Sequence, residues 1–321
     1  MAISAAILRV VSVAMCLVVT PQFAEAAPFA FISNQGADTV SVIDLAANLA
    51  VTSIKVGKDP AGIAIERNAR YVFVSTPSDH AVSVIDTRTL TVVNTIHFEG
   101  EVLGIAADPI RDRVYVAAWY DHRIITIDTK TFKPTGYFQT GKIPSGVAVS
   151  AQGDRLVVAN RDDDSVTVYD LKTELPLATL GVGKAPFGVT ISTDGKLFFV
   201  ANVKSNNVSV FDLKALRKIN EITAGEAPYA IAHDPRRHQL YVTNQQQGTL
   251  SILDLQRGGE IANLAVGEYP EGISYYQPFD RVYIASWFDN QLVVLDPATK
   301  SITARIPCED GTRAFGDFIL K

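Results

Sequence analysis

Cysteine is almost missing from this chain of 321 residues: there are two, Cys16 and Cys308, too few for a disulfide framework or a thiolate metal cluster. A basic excess is missing too. Lys and Arg number 29 against 34 Asp and Glu, a net charge of −5, whereas non-specific nucleic-acid binding rests on neutralising phosphates with cationic side chains. There is no Gly-rich phosphate loop, no GxSxG elbow, no CxxCH haem attachment and no His-Glu-x-x-His, so none of the one-motif catalytic classes is indicated. Beyond the first 26 residues no stretch places apolar side chains at helical spacing. Tryptophan occurs only twice, and both positions matter below.

What the chain does contain is a leader and a repeat. Residues 5–20 form an apolar run broken only by Arg9 and Ser12, followed by Pro21 and then Ala24-Glu25-Ala26, small residues at the two positions a signal peptidase reads. This predicts a signal peptide over 1–26, cleaved after Ala26, and a periplasmic or secreted protein of residues 27–321. The run is short for a membrane span of ~20 residues. Met15 stands where a lipoprotein signal needs a small residue before Cys16. Cleavage leaves Cys308 as the only cysteine, so the exported fold has to hold by packing.

From residue 27 onward one unit recurs. Val40-Ser41-Val42-Ile43-Asp44 returns in variants ending at Asp86, Asp128, Asp170, Asp212, Asp254 and Asp296, each 42 residues from the last without insertion or deletion. Seven such repeats fill the mature chain and leave no room for a separate catalytic domain. Within the second repeat, Ile63 to Ile65, Tyr71 to Val74, Val82 to Ile85 and Val92 to Ile96 read as four short strands, a to d, separated by turn residues. A period in the 40s made of strands predicts an all-β, seven-bladed β-propeller with four-stranded blades. Strands b and c are apolar on both faces, as expected where blades pack face to face.

The seven Asp residues are read as turn residues, each carboxylate accepting a backbone N–H two residues on, with Thr89, Thr131, Thr173 and Thr299 on the far side. A feature common to every blade cannot mark one active site. Pro60/Gly62, Pro144/Gly146, Pro186/Gly188, Pro228 and Pro270/Gly272 are read as setting the preceding turn and letting strand a approach the axis closely. At the ends, the mature chain starts directly at strand b, Phe29-Ala30-Phe31-Ile32, and lacks strand a. Thr312 to Leu320 lies in register with the missing strand, so the C-terminus is expected to complete the first blade and close the ring.

Tyr241-Val242-Thr243-Asn244, with Phe199-Val200-Ala201-Asn202 and Val157-Val158-Ala159-Asn160 as close variants, resembles the YVTN family of β-propeller repeats across all seven units. The chain is similar to the exported seven-bladed members found among bacterial periplasmic proteins, including those encoded beside alcohol oxidation dependent on pyrroloquinoline quinone. The resemblance implies a propeller and says little about activity, because the motif residues are structural. Other propellers that it resembles include metal-dependent lactonases and lyases, the haem-binding propellers of periplasmic nitrite reductases, and relatives that bind single-stranded nucleic acid.

In a propeller the d-to-a and b-to-c loops share one face, at the mouth of the central channel, and residues there that differ between repeats are the candidates for function. The residue following strand b reads Gln35, Pro77, Trp119, Arg161, Val203, Gln245 and Trp287. Repeats three and seven stand out through Trp119-Tyr120-Asp121-His122 and Trp287-Phe288-Asp289-Asn290, amphipathic aromatics of the kind that binding surfaces use. The alternative is that each Trp caps a blade core. The residue opening strand a reads Ala61, Leu103, Ser145, Phe187, Tyr229, Glu271 and Arg313, so one arc of the rim is aromatic and the next charged. Glu271 and Arg313 are read as an ion pair latching the closing strand ahead of an acid–base couple.

His80, His122 and Asp121 carry metal-ligand chemistry, but a site requires them to converge to ~2.0–2.2 Å around one ion, and an acidic solvated loop is the default reading. No metal or cofactor is assigned. The leading reading is a monomeric, non-enzymatic exported propeller that binds a protein or a small redox-related ligand at Trp119, Tyr120, His122, Arg161, Phe187, Tyr229, Glu271, Trp287, Phe288 and Arg313. A lactonase- or lyase-type enzyme, or a haem- or quinone-binding propeller, is the alternative.

Overall fold

Short β-branched runs separated by tight turns pair with their neighbours in sequence, and the chain does this seven times round an axis. The structure, a computed structural model, describes residues 28–320, and the expected signal peptide lies outside the described residues. Blade 4 shows the pattern: strand a is Pro144–Val149, b Arg155–Asn160, c Ser165–Asp170 and d Leu175–Gly181, each antiparallel to the next. In the second repeat the strands are Gly62–Ile65, Tyr71–Thr76, Ala81–Asp86 and Thr91–His97, a residue or two longer than their β-branched and aromatic runs because flanking residues also join the sheet. Two three-residue 3₁₀ turns, Pro77–Asp79 and Arg161–Asp163, occur in the b-to-c loops.

Strands b and c are buried on both faces in every blade, for example Leu156 to Asn160 and Ser165 to Tyr169, and strand d is largely exposed at the rim. Separate apolar cores fill the spaces between adjacent blades, such as Val157, Ala159, Val166 and Val168 of blade 4 against Phe198, Val200 and Phe211 of blade 5.

All seven repeat Asp carboxylates accept the N–H groups two and three residues on, as at Asp128 from Lys130 (3.0 Å) and Thr131 (2.7 Å). The strand-a glycines are there for close approach. A Cβ at Gly104 would lie 1.7 Å from the Ser145 carbonyl oxygen, at Gly146 2.0 Å from that of Phe187, and at Gly272 1.7 Å from that of Ala314. Inner strands of neighbouring blades therefore touch backbone to backbone.

The first blade has Phe29–Asn34, Thr39–Asp44 and Leu49–Lys55 as its strands b to d, and the C-terminus supplies the fourth. Bridges Asn34–Thr312 and Ala30–Ile319 anchor it, and the N–H groups of Arg313, Phe31 and Leu320 donate across the pair. Six residues, 313–318, lie between those bridges, whereas only four, 145–148, lie between the equivalent pairings in blade 4. The two extra residues force a bulge. Phe315–Asp317 leaves blade 1 and pairs in parallel with Gly62–Ala64 of blade 2.

Candidate functional site

That bulge decides the shape of the channel mouth. It drives Phe315 across the axis, where its ring meets Phe187 edge-on (centroids 5.7 Å apart, planes at 80°) and Tyr229 (6.5 Å, 78°), which are themselves stacked at 4.1 Å. Ala61 and Leu103 complete a buried apolar plug, with Trp119 and Val203 packed on it. The channel is closed on the loop face. Below the plug a space of about 520 Å³ runs toward the a-to-b turns, past Gly104, Gly146 and Gly188.

Next to the plug lies a polar latch. Arg313, from the closing strand, donates through Nε and Nη2 to Glu271, through Nη1 to Gln35 Oε1 (3.0 Å) and through Nη2 to Tyr229 Oη (3.1 Å), and its guanidinium lies 4.6 Å from the Trp287 ring centroid. Gln245 Nε2 donates to the same carboxylate. Glu271 is fully buried. Burial opposes the Arg313 charge, and the Glu271 carboxylate more than offsets it, so the guanidinium pKa stays above its usual value. Burial and the adjacent Glu271 charge raise the Tyr229 phenol, keeping it a neutral hydrogen-bonding group. The geometry is that of a satisfied ion pair joining blade 7 to blade 1, with no free acid or base.

Of the ten residues singled out in the sequence, Phe187, Tyr229, Glu271 and Arg313 thus lie inside the plug and latch. Trp119 and Trp287 are half-buried above them. Tyr120 and Phe288 are the accessible ones, 63% and 56% exposed, each packed along the preceding indole (Trp119–Tyr120 planes 15° apart, Trp287–Phe288 25°). Arg161 is paired with Asp162 at 3.2 Å.

His122 has a backbone task. It is in the left-handed region (φ 53°), where Asp38, His80, Asp164, Asn206, Gly248 and Asn290 stand in the other blades. Its Nδ1 accepts the Ile143 N–H (3.3 Å), as Asp38 accepts that of Asp59, Asp164 that of Ala185 and Asn206 that of Ala227. Small polar residues suit both this conformation and this cap. His80 Nδ1 lies 3.2 Å from the Glu99 carbonyl, and Asp121 pairs with Arg123. Among the described residues no three His, Cys, Asp or Glu side chains are grouped to hold a metal ion.

The Asn of the repeat motif is equally structural. Asn160 Nδ2 donates to Ser165 and Thr167 while its Oδ1 accepts the Gly141 N–H, pinning strand c and the incoming loop. Blades 3 and 7, which carry the Trp residues, have Ala118 and Ser286 instead.

Comparison with known proteins agrees with this geometry. A family profile described as YNCE-like β-propeller matches residues 2–315. The chain belongs to that family. No curated protein sequence matches it. Similar solved structures include hydrazine synthase of Kuenenia stuttgartiensis (TM-score 0.78, 21% identity, covering 84% of this chain and 92% of that one). A functionally unknown protein from Desulfotomaculum acetoxidans DSM 771 is also similar (0.76, 15%, 90% and 99%). So is the dihydro-heme d1 dehydrogenase NirN in complex with DHE (0.69, 13%, 88% and 73%). At these identities the likeness is one of fold.

Reading the sequence of this YNCE-like propeller misses Gln35, Gln245 and Phe315 as parts of the mouth. The two glutamines occupy the same aligned column as the Trp residues, so their signal was present. Phe315 escapes because the two-residue insertion displaces it from the 42-residue ruler.

Proposed function

We propose that this chain is an exported, non-enzymatic binding propeller whose loop face docks a protein partner. The observation that carries this reading is the plugged mouth flanked by two equivalent stacked pairs, Trp119/Tyr120 and Trp287/Phe288, with Tyr120 and Phe288 more than half exposed. A closed mouth turns the loop face into a continuous surface, and rigid amphipathic aromatics on such a surface are the residues that anchor protein interfaces. Glu271 and Arg313 consume each other's charge, which leaves the centre of the face without an acid–base couple. Hydrazine synthase, whose name denotes an enzyme, shares the architecture only as a fold.

The test is photo-cross-linking in the native host with p-benzoylphenylalanine at position 120 or 288, and at Lys196 on the opposite face as the control. The same protein adduct from both 120 and 288, absent from 196, is expected. No adduct, or one shared with 196, overturns the docking reading.

A further inference from the structure

The seven copies also differ at the junction of blades 6 and 7. A cleft of about 840 Å³ opens there, lined by Gln246, Glu268, Tyr269, Phe288, Gln291 and Arg305 among others. Tyr269 and Phe288 form its aromatic wall, centroids 4.8 Å apart and planes at 49°. The residues equivalent to Tyr269 are Asp59, Glu101, Ile143, Ala185, Ala227 and Gly311, and those equivalent to Phe288 are Gly36, Ser78, Tyr120, Asp162, Lys204 and Gln246. In no other blade do these two positions both carry an aromatic residue.

A second observation is a buried polar atom left over. Gln291 Oε1 is buried and without a hydrogen-bond partner. In blades 1, 4, 5 and 6 the residue at this position (Thr39, Ser165, Asn207, Thr249) accepts from the Asn that ends strand b. Blade 7 has Ser286 there, and its hydroxyl is engaged with Asp289 and the Glu268 carbonyl instead. Gln291 lines the cleft, and its Oε1 is left beneath the cleft surface without the partner that the repeat Asn supplies elsewhere.

We propose that this cleft is a carbohydrate-binding site for a neutral pyranose or short glycan. The tilted aromatic rings give a π-face for the C–H side of a sugar ring. Amide, carboxylate and guanidinium groups match hydroxyls that both donate and accept. An apolar ligand would leave the buried Gln291 Oε1 unpaired, at about 1–3 kcal/mol. An anion would meet the carboxylates of Glu268 and Asp289, and a cation the guanidinium of Arg305. The volume falls within the roughly 300–1,000 Å³ of small-molecule sites. The site shares Phe288 with the proposed docking face, but the sugar titrations are made without any partner protein, so the two readings fail separately.

The probes are maltose, cellobiose and N,N′-diacetylchitobiose. Saturation-transfer NMR on the intact chain should show transfer from protein to at least one of them. In a Trp119→Phe background Trp287, 5.1 Å from the Phe288 ring, is the sole indole and should report a saturable emission change with Kd on the order of 1 mM. Phe288→Ala and Gln291→Ala should each weaken binding about tenfold or more. If either variant loses its circular dichroism, Arg305→Ala on the exposed rim is read by the same criterion. No transfer to any of the three sugars overturns the site, as does transfer that survives the substitutions in folded protein.

Discussion

At the scale of single residues, the same side-chain type serves different ends according to where its hydrogen bonds go. The repeat Asp carboxylates are spent on their own turns, and the b-to-c loop residues, His122 included, cap the backbone of the next blade. The polar groups on the opposite face fasten blades to each other. Arg237 of blade 6 grips Asp280 of blade 7 with two bonds (2.8 and 2.6 Å), Tyr275 adds a third at 2.9 Å, and Arg236 also reaches it. The Arg237 bond is the main cause that holds the Asp280 pKa down at about 2. A depressed carboxylate pKa contributes stability that is fully present above the unfolded value, near 4, and is lost as pH falls through the folded value near 2. Asp280→Asn should therefore melt lower than wild type at pH 5, by roughly 1 kcal/mol after allowance for solvent screening. That gap should close toward pH 2. Thermal melts of both proteins across this range check it, and a gap that does not change with pH would show that the ion pair contributes nothing.

At the scale of strands and blades, the period of 42 made the architecture legible: blade number, two-sided burial of strands b and c, the glycine-dependent approach of the inner strands and the C-terminal closing strand were all readable. The shape of the mouth was not. Equivalence of the openers predicts an open ring of rim residues, and Phe187, Tyr229, Glu271 and Arg313 do occupy that ring. Their burial comes from Phe315, which arrives through an insertion at the one place where the repeat register fails. The latch reading of Arg313 and Glu271 follows from chemistry that the sequence does display, an unlike pair at adjacent blade positions. It makes a distinct expectation. Arg313→Met leaves Glu271 buried and unpaired and should cost about 3–5 kcal/mol, while the double variant Arg313→Met/Glu271→Leu should recover most of it, because two apolar groups need no counter-charge. Chemical denaturation of the four members of the cycle measures this, and additive losses would mean that the two residues do not act as a pair.

At the scale of the whole molecule, the ring is closed without a covalent bond, and its two ends are joined by about nine C-terminal residues. Those residues bury Phe315, Phe318 and Ile319. Full burial of such side chains is worth about 1.5–3 kcal/mol each, so their sum is comparable to the ~5–15 kcal/mol that stabilises an entire domain. Removal does more than subtract contacts. It exposes the edge of Phe29–Asn34, and the blade 7–blade 1 interface loses Arg313, leaving a gap through which a linear array of blades can unfold from its ends. Deletion of 312–321 is thus expected to lower the melting temperature strongly and to broaden the transition as seven blades cease to act as one cooperative ring. A synthetic 312–321 peptide added in trans should restore part of the lost stability in proportion to its concentration, since it binds only the folded ring. Calorimetry with and without the peptide reads both effects, and a truncated chain that melts like the full one would mean that the ring holds without its latch.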